Sequence, residues 1–153
     1  MVALYSREYG QTRGPAALGA EATFVDPLLA AYEGRIADAC EFALRHRVLL
    51  LRAAGGAGIG ISLGALRFEE SVVRRATAAP FGPELELRTC SAEDLMVLKL
   101  FASQPLDLHD AEGVAIRRKG KLDWTYVEEQ LRPLSEVKER PEMMATPARL
   151  RQL

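Results

Sequence analysis

Cysteine and histidine are scarce in this chain, and their scarcity removes several chemistries at the outset. Of 153 residues only two are cysteines and two are histidines. Cys40 and Cys90 show no CxxC spacing and no surrounding His/Cys cluster, so neither a zinc site nor a disulfide framework is indicated, and reduced thiols are expected. His46 and His109 stand far apart without ligand spacing around either, which favours exposed or hydrogen-bonded imidazoles over metal ligands. Net charge is also lacking: at −1 the chain has no overall basic field to draw in nucleic acid or an anionic membrane. Long apolar runs are absent too, since Val48-Leu49-Leu50-Leu51 falls far short of the ~20 residues that span a bilayer. Met1 to Gly10 has neither the positive start nor the apolar stretch of a secretory signal. A cytoplasmic protein with no membrane partner is the expectation.

What remains is an ordinary globular composition. With 48% hydrophobic and 27% charged residues the chain is too apolar to stay disordered, and its length suits one domain. Residues 1–20 mix glycine and proline with isolated aromatics and show no sustained period, so they are expected to be irregular. From Glu21 the apolar spacing becomes helical, with Phe24, Leu28 and Leu29, then Ile36, Ala39, Cys40, Ala43 and Leu44, and a break near Glu33-Gly34. Arg47–Arg52 and Ile59–Leu63 are short apolar runs flanking Gly55-Gly56, which predicts paired buried strands. Phe68 to Ala76 suits a short amphipathic helix that Pro80-Phe-Gly-Pro83 ends. Leu85 and Leu87 alternate with Glu84, Glu86 and Arg88, as in a half-buried strand.

The helical half follows. Ser91-Ala-Glu-Asp94 has capping-box spacing before Leu95, Leu98 and Ala102, and the helix it starts should reach about Ser103. After Pro105 a second helix spans Asp107 to Arg118 with Gly120 as its stop, closing a helical hairpin. A third carries Trp124, Val127, Leu131 and Leu134, and the residues from Pro141 add a frayed helix at most. The fold expected is α/β (α+β): a small mixed sheet flanked by helices, with a helical C-terminal half. Its parts are an irregular segment 1–20, a domain 21–139 and a tail 140–153.

Four of these segments, RVLLLR, GISLGALRFEE, LRTCSAEDLMVLKLFA and DLHDAEGV, resemble the later motifs of the AbiEii/AbiGii toxin type of nucleotidyltransferase-fold proteins. The resemblance covers roughly Phe24 to Glu139 and is most specific from Arg88 to Gly113. It implies a nucleotidyltransferase-like fold, a nucleoside triphosphate donor, Mg²⁺, and an acceptor such as tRNA or protein. In such enzymes an Asp-x-Asp pair on one strand and a third acid on a neighbour share the metal that neutralises charge in phosphoryl transfer.

The chain departs from that pattern twice. Upstream of Phe24, Gln11-Thr-Arg13 and Gly14-Pro-Ala-Ala-Leu-Gly19 offer no acid pair, so the first motif looks deleted. Where relatives tend to have Ile-Asp-Ile, this chain has Ile59-Gly60-Ile61, and Gly60 cannot bind anything. The resemblance implies that Lys99 contacts a triphosphate as a point charge and that Asp107 and Asp110 are its paired acids. Asp110 is the better candidate for an active-site acid, because Asp107 after Pro105 suits helix capping. Gln104 stands where relatives often have arginine, which weakens this half too.

Plainer explanations cover the other candidates. Alternation on an exposed strand face accounts for Glu84 and Glu86 better than metal binding. Ser91 is a cap, and Ser62 has no nucleophile-elbow pattern. Trp124 is core packing. Gly55-Gly-Ala-Gly58 is a hairpin connection, since no Lys-Ser/Thr follows and a strand comes next. Two functions therefore compete. One is a degenerate nucleotidyltransferase that keeps nucleotide binding. The other is a non-enzymatic interaction or regulatory module, made a homo-oligomer by the sheet edge that a lost strand exposes.

Overall fold

The computed structural model describes residues 2–5, 18–64, 66–80, 82–84 and 86–153. The chain divides into two compact units, Met1–Arg74 and Arg75–Leu153, where composition and length led to one domain. No helix among the described residues is long and apolar enough to cross a membrane.

The first unit runs β1 (Val2–Tyr5), α1 (Leu18–Ala31), β2 (Glu33–Gly34), α2 (Ala39–His46), β3 (Val48–Arg52), β4 (Gly58–Leu63) and α3 (Arg67–Arg75), whose last residue opens the second unit. Its sheet is four-stranded in the order β1-β4-β3-β2. It is mixed, as expected: β1 runs parallel to β4, while β2 and β4 flank β3 antiparallel. Period-two alternation decides which face is covered. Leu49 and Leu51 on β3 and Ile61 and Leu63 on β4 turn to one side, with Leu49 directly opposite Ile61. Val25 of α1 and Ala43 of α2 close over them, so six buried residues form this core. The loop from Ala53 to Ala57 carries Gly56 at φ 81°, a left-handed turn that glycine takes at no steric cost.

Two expectations change in this unit. The segment 1–20 is not irregular throughout, because Val2–Tyr5 form a strand and Leu18–Ala20 already belong to α1. The Gln11–Ala17 stretch, in which the missing acid pair was sought, lies outside the described residues. The break at Glu33-Gly34 is an added edge strand, with Glu33 opposite Arg52 and Gly34 opposite Leu51. A Cβ on Gly34 would sit 2.8 Å from that of Ala39, so the chain can approach α2 here only without a side chain.

The second unit holds β5 (Thr77–Pro80), β6 (Glu86–Thr89), α4 (Ala92–Ala102), α5 (Pro105–Arg117), α6 (Trp124–Val137), a 3-10 helix (Pro141–Met144) and α7 (Ala145–Leu150). The expected strand around Leu87 exists, and it pairs antiparallel with β5, which the sequence did not suggest. Leu85 lies outside the described residues. α4 packs against both α5 and α6. Its buried face includes Met96, Val97 and Leu100, while Leu95, Leu98 and Ala102 are only partly buried. The run AEDLMVLKLFA is apolar nearly all round, so periodicity alone leaves its phase open. Ala111, Val114 and Ala115 of α5 and Val127, Leu131 and Leu134 of α6 complete the buried set. The helix expected from Pro141 is present, and it is packed rather than frayed: Met143, Pro147 and Leu150 are buried, and α7 contacts α5 and α6.

Candidate functional site

α4 begins as the sequence predicts. The Ser91 hydroxyl accepts from the Asp94 backbone N–H at 2.9 Å, which satisfies one of the donors that a helix start leaves unpaired. It ends at Ser103, held at φ 58°, whose N–H returns to the Lys99 carbonyl. Gln104 and then Pro105 start α5, with proline at a position where its missing N–H costs nothing. This short link sets Lys99, in the last turn of α4, beside the first two turns of α5.

There the three residues singled out by the resemblance meet. Lys99 Nζ lies 2.8 Å from Asp107 Oδ1 and 2.8 Å from Asp110 Oδ2. The i, i+3 spacing of the two acids puts both on the helix face that α4 meets. The side chains keep 24% (Lys99), 20% (Asp107) and 45% (Asp110) of their exposure, so water reaches each of them. Partial burial disfavours the Lys99 charge, but the hydrogen bonds and charges of Asp107 and Asp110 outweigh it and raise the ammonium above its ordinary 10.5. Asp110 is held below its ordinary 3.8, first by the Lys99 hydrogen bond and charge, with smaller contributions from His109 and Arg117. The lysine's contribution to stability is thus complete below 10.5 and is lost as pH rises through the higher folded value. That of Asp110 is present above 3.8 and is lost as pH falls through the lower one. At neutral pH Lys99 and Asp110 are both charged.

Asp107 is not the cap that its position suggested. Gln104 holds the cap position without a side-chain bond, and the Asp107 carboxylate accepts from Lys99 while still lying in the first turn, where the helix dipole favours an anion. Arg117 folds back over Gly113, one turn beyond Asp110: a Cβ there would come within 3.0 Å of its guanidinium. With both acids engaged by an ammonium, the residues present do not fit a protein-held Mg²⁺. Among the described residues no group of three or more His, Cys, Asp and Glu is placed to hold a metal. A cation carried in by a triphosphate's own oxygens would need no such ligands.

The ion pairs of this cluster involve none of the remaining candidates. Glu84 precedes β6 and Glu86 starts it, both exposed, so they do not form an acid pair on one strand. Gly60 lies in β4 of the first unit, opposite Val2 and Leu50. Gly55 to Gly58 join antiparallel β3 and β4, and Ser62 is within β4. His46 is exposed and stacks on Phe42 with ring centroids 4.4 Å apart, and His109 is exposed on α5. Trp124 is only half-buried, under the Arg151 guanidinium at 5.7 Å.

A second cluster was not foreseen. Asp94 is 1% exposed, and its Oδ1 accepts from Arg75 Nη2 at 2.6 Å and from the Tyr126 hydroxyl at 2.7 Å. Arg75 also donates to the Tyr126 oxygen at 2.5 Å. The capping-box pattern disguised this role, because the Asp94 carboxylate turns inward instead of back to its own helix start. The available signal was spacing: Asp94, Val97 and Leu100 recur every three residues and share the buried face.

Burial, followed by the hydrogen bond to Asp94, pushes the Tyr126 phenol up to about 12. The neutral phenol is the favoured form, so its contribution to stability is complete below 10.0 and is lost as pH rises through about 12. In an alkaline titration followed at 295 nm, one of the four tyrosines should ionise only near pH 12, and Tyr126→Phe should remove that late component. A Tyr126→Phe titration indistinguishable from the native curve would contradict this assignment.

Neither the known protein families nor the curated proteins include a match to this chain.

Proposed function

We propose that this chain is a nucleotidyltransferase-like protein of the AbiEii/AbiGii toxin type, impaired in catalysis, which binds a nucleoside triphosphate through Lys99. One observation carries the reading: Lys99, Asp107 and Asp110, chosen on motif resemblance from separate helices, form a single water-accessible cluster with 2.8 Å contacts. An ammonium has three donors and the two carboxylates engage two of them. The third can reach a phosphate oxygen. Asp110, the more exposed acid, is the residual active-site carboxylate of this reading, and Asp107 anchors the lysine. Gly60 supports impaired transfer, because the β4 position expected to carry an acid has no side chain there. A tRNA or protein acceptor therefore goes unmodified.

The test has two measurements. ATP binding by calorimetry should weaken about tenfold in Lys99→Ala, as loss of a charge-assisted hydrogen bond worth ~1.5 kcal/mol requires. Incubation with labelled nucleoside triphosphates, Mg²⁺ and cellular RNA or protein should give no transfer above background. Robust labelling that Lys99→Ala abolishes would overturn the impairment, and ATP binding indifferent to Lys99→Ala would overturn the site.

A further inference from the structure

The cluster that supports nucleotide binding also opposes it. Both acids engage the Lys99 ammonium that a phosphate would seek, and the three side chains together carry a formal charge of −1. A triphosphate approaching Lys99 meets two carboxylate oxygens, each 2.8 Å from the ammonium it must share. At such distances like charges repel appreciably even where water screens them. His109 and Arg117 also act on Asp110, but less than Lys99 does. Arg117 lies over Gly113, one turn along α5, and His109 is exposed beside Asp110. Lys138, the residue that caps α6, is committed elsewhere: its Nζ donates to the Phe101 carbonyl at 2.5 Å and to that of Ala102 at 3.2 Å.

Resting on the reading that Lys99 binds phosphate, we infer that Asp107 and Asp110 form an autoinhibitory contact, an internal pair of anions that competes with the nucleotide for Lys99. The triphosphate displaces at least the more exposed partner, Asp110, whose side chain keeps 45% of its exposure against 20% for Asp107. Displacement is possible because the two contacts come from α5 while the ammonium comes from α4, so a rotamer change at Asp110 frees a donor without unfolding either helix. Binding is thus weakened by design of the site, and neutralising the acids strengthens it. This is the reverse of what a metal-bridging role for the same carboxylates requires.

The experiment measures ATP affinity by calorimetry for the native protein, Asp107→Asn, Asp110→Asn and the double variant, once with Mg²⁺ and once with chelator. Asparagine keeps the shape of aspartate, and Asp110 is exposed enough that its variant should fold, which circular dichroism would verify. Asp110→Asn is expected to tighten ATP binding about fivefold in both conditions, as the loss of one close like-charge contact in water implies. The double variant should tighten it further. Weaker binding in Asp110→Asn with Mg²⁺, or unchanged affinity in every variant, overturns the competition while native binding leaves the proposed function standing. If neither the native protein nor the double variant binds ATP, both fall.

Discussion

Asp94→Ala should lower the unfolding free energy by about 3 kcal/mol, the low end of what removing one partner of a buried ion pair costs. Its carboxylate is almost wholly enclosed and is the shared acceptor for Arg75 and for the Tyr126 hydroxyl. Its loss leaves both donors without their acceptor and opens space beside α4. The penalty stays at the low end because the Arg75 side chain is 45% exposed and can turn to water. Asp94→Asn keeps the shape and one acceptor oxygen, so about half that loss is expected. Urea unfolding followed by circular dichroism measures both, and an alanine variant with the native midpoint would show that the cluster carries no stability.

The second large effect lies in the sheet. Leu49 has no exposure, and it sits opposite Ile61 among the residues that α1 and α2 cover. Truncation to alanine removes three buried carbons and leaves a cavity that the flanking strands can only partly close, because ladder hydrogen bonds hold them in register. A loss of about 3 kcal/mol is expected. Leu50 makes the control: one residue along β3 it turns to the opposite, half-buried face, and its truncation should cost less than half as much. Equal losses at Leu49 and Leu50 in the same unfolding assay would mean that the two faces of this strand are not distinguished by packing.

The contrast between those two leucines explains why some of the fold was legible in the sequence and some was not. RVLLLR and IGISL announced β3 and β4 because their pairing is local, across one glycine-bearing loop, and because both are rich in branched apolar residues. β1 could not be read in the same way. Its partner β4 lies more than fifty residues along the chain, and nothing in four residues of VALY records so distant a pairing. β5 is TAAP, a sequence with little strand preference, which becomes a strand because β6 offers it a ladder. The helices were placed by caps and punctuation at Ser91, Pro105 and Gly120, although the all-round apolar run of α4 left its buried face open. At the site, resemblance and position together selected Lys99, Asp107 and Asp110, but which of them would touch depended on the turn at Ser103. Asp94 was hidden by an adequate local explanation, since its backbone does serve the Ser91 cap while its side chain is engaged in tertiary contacts.

Gly60 and Gly34 differ in what surrounds them. Among the described side chains, an ideal Cβ built on Gly60 would meet Leu50 Cδ2 at 3.9 Å, an ordinary van der Waals distance. Glycine is therefore not imposed at this position by crowding, unlike Gly34 against Ala39. Gly60 shares its half-buried face with Leu50 and Ser62. A methyl group at this point in β4 would make an ordinary contact with Leu50, whereas one at Gly34 would clash with Ala39.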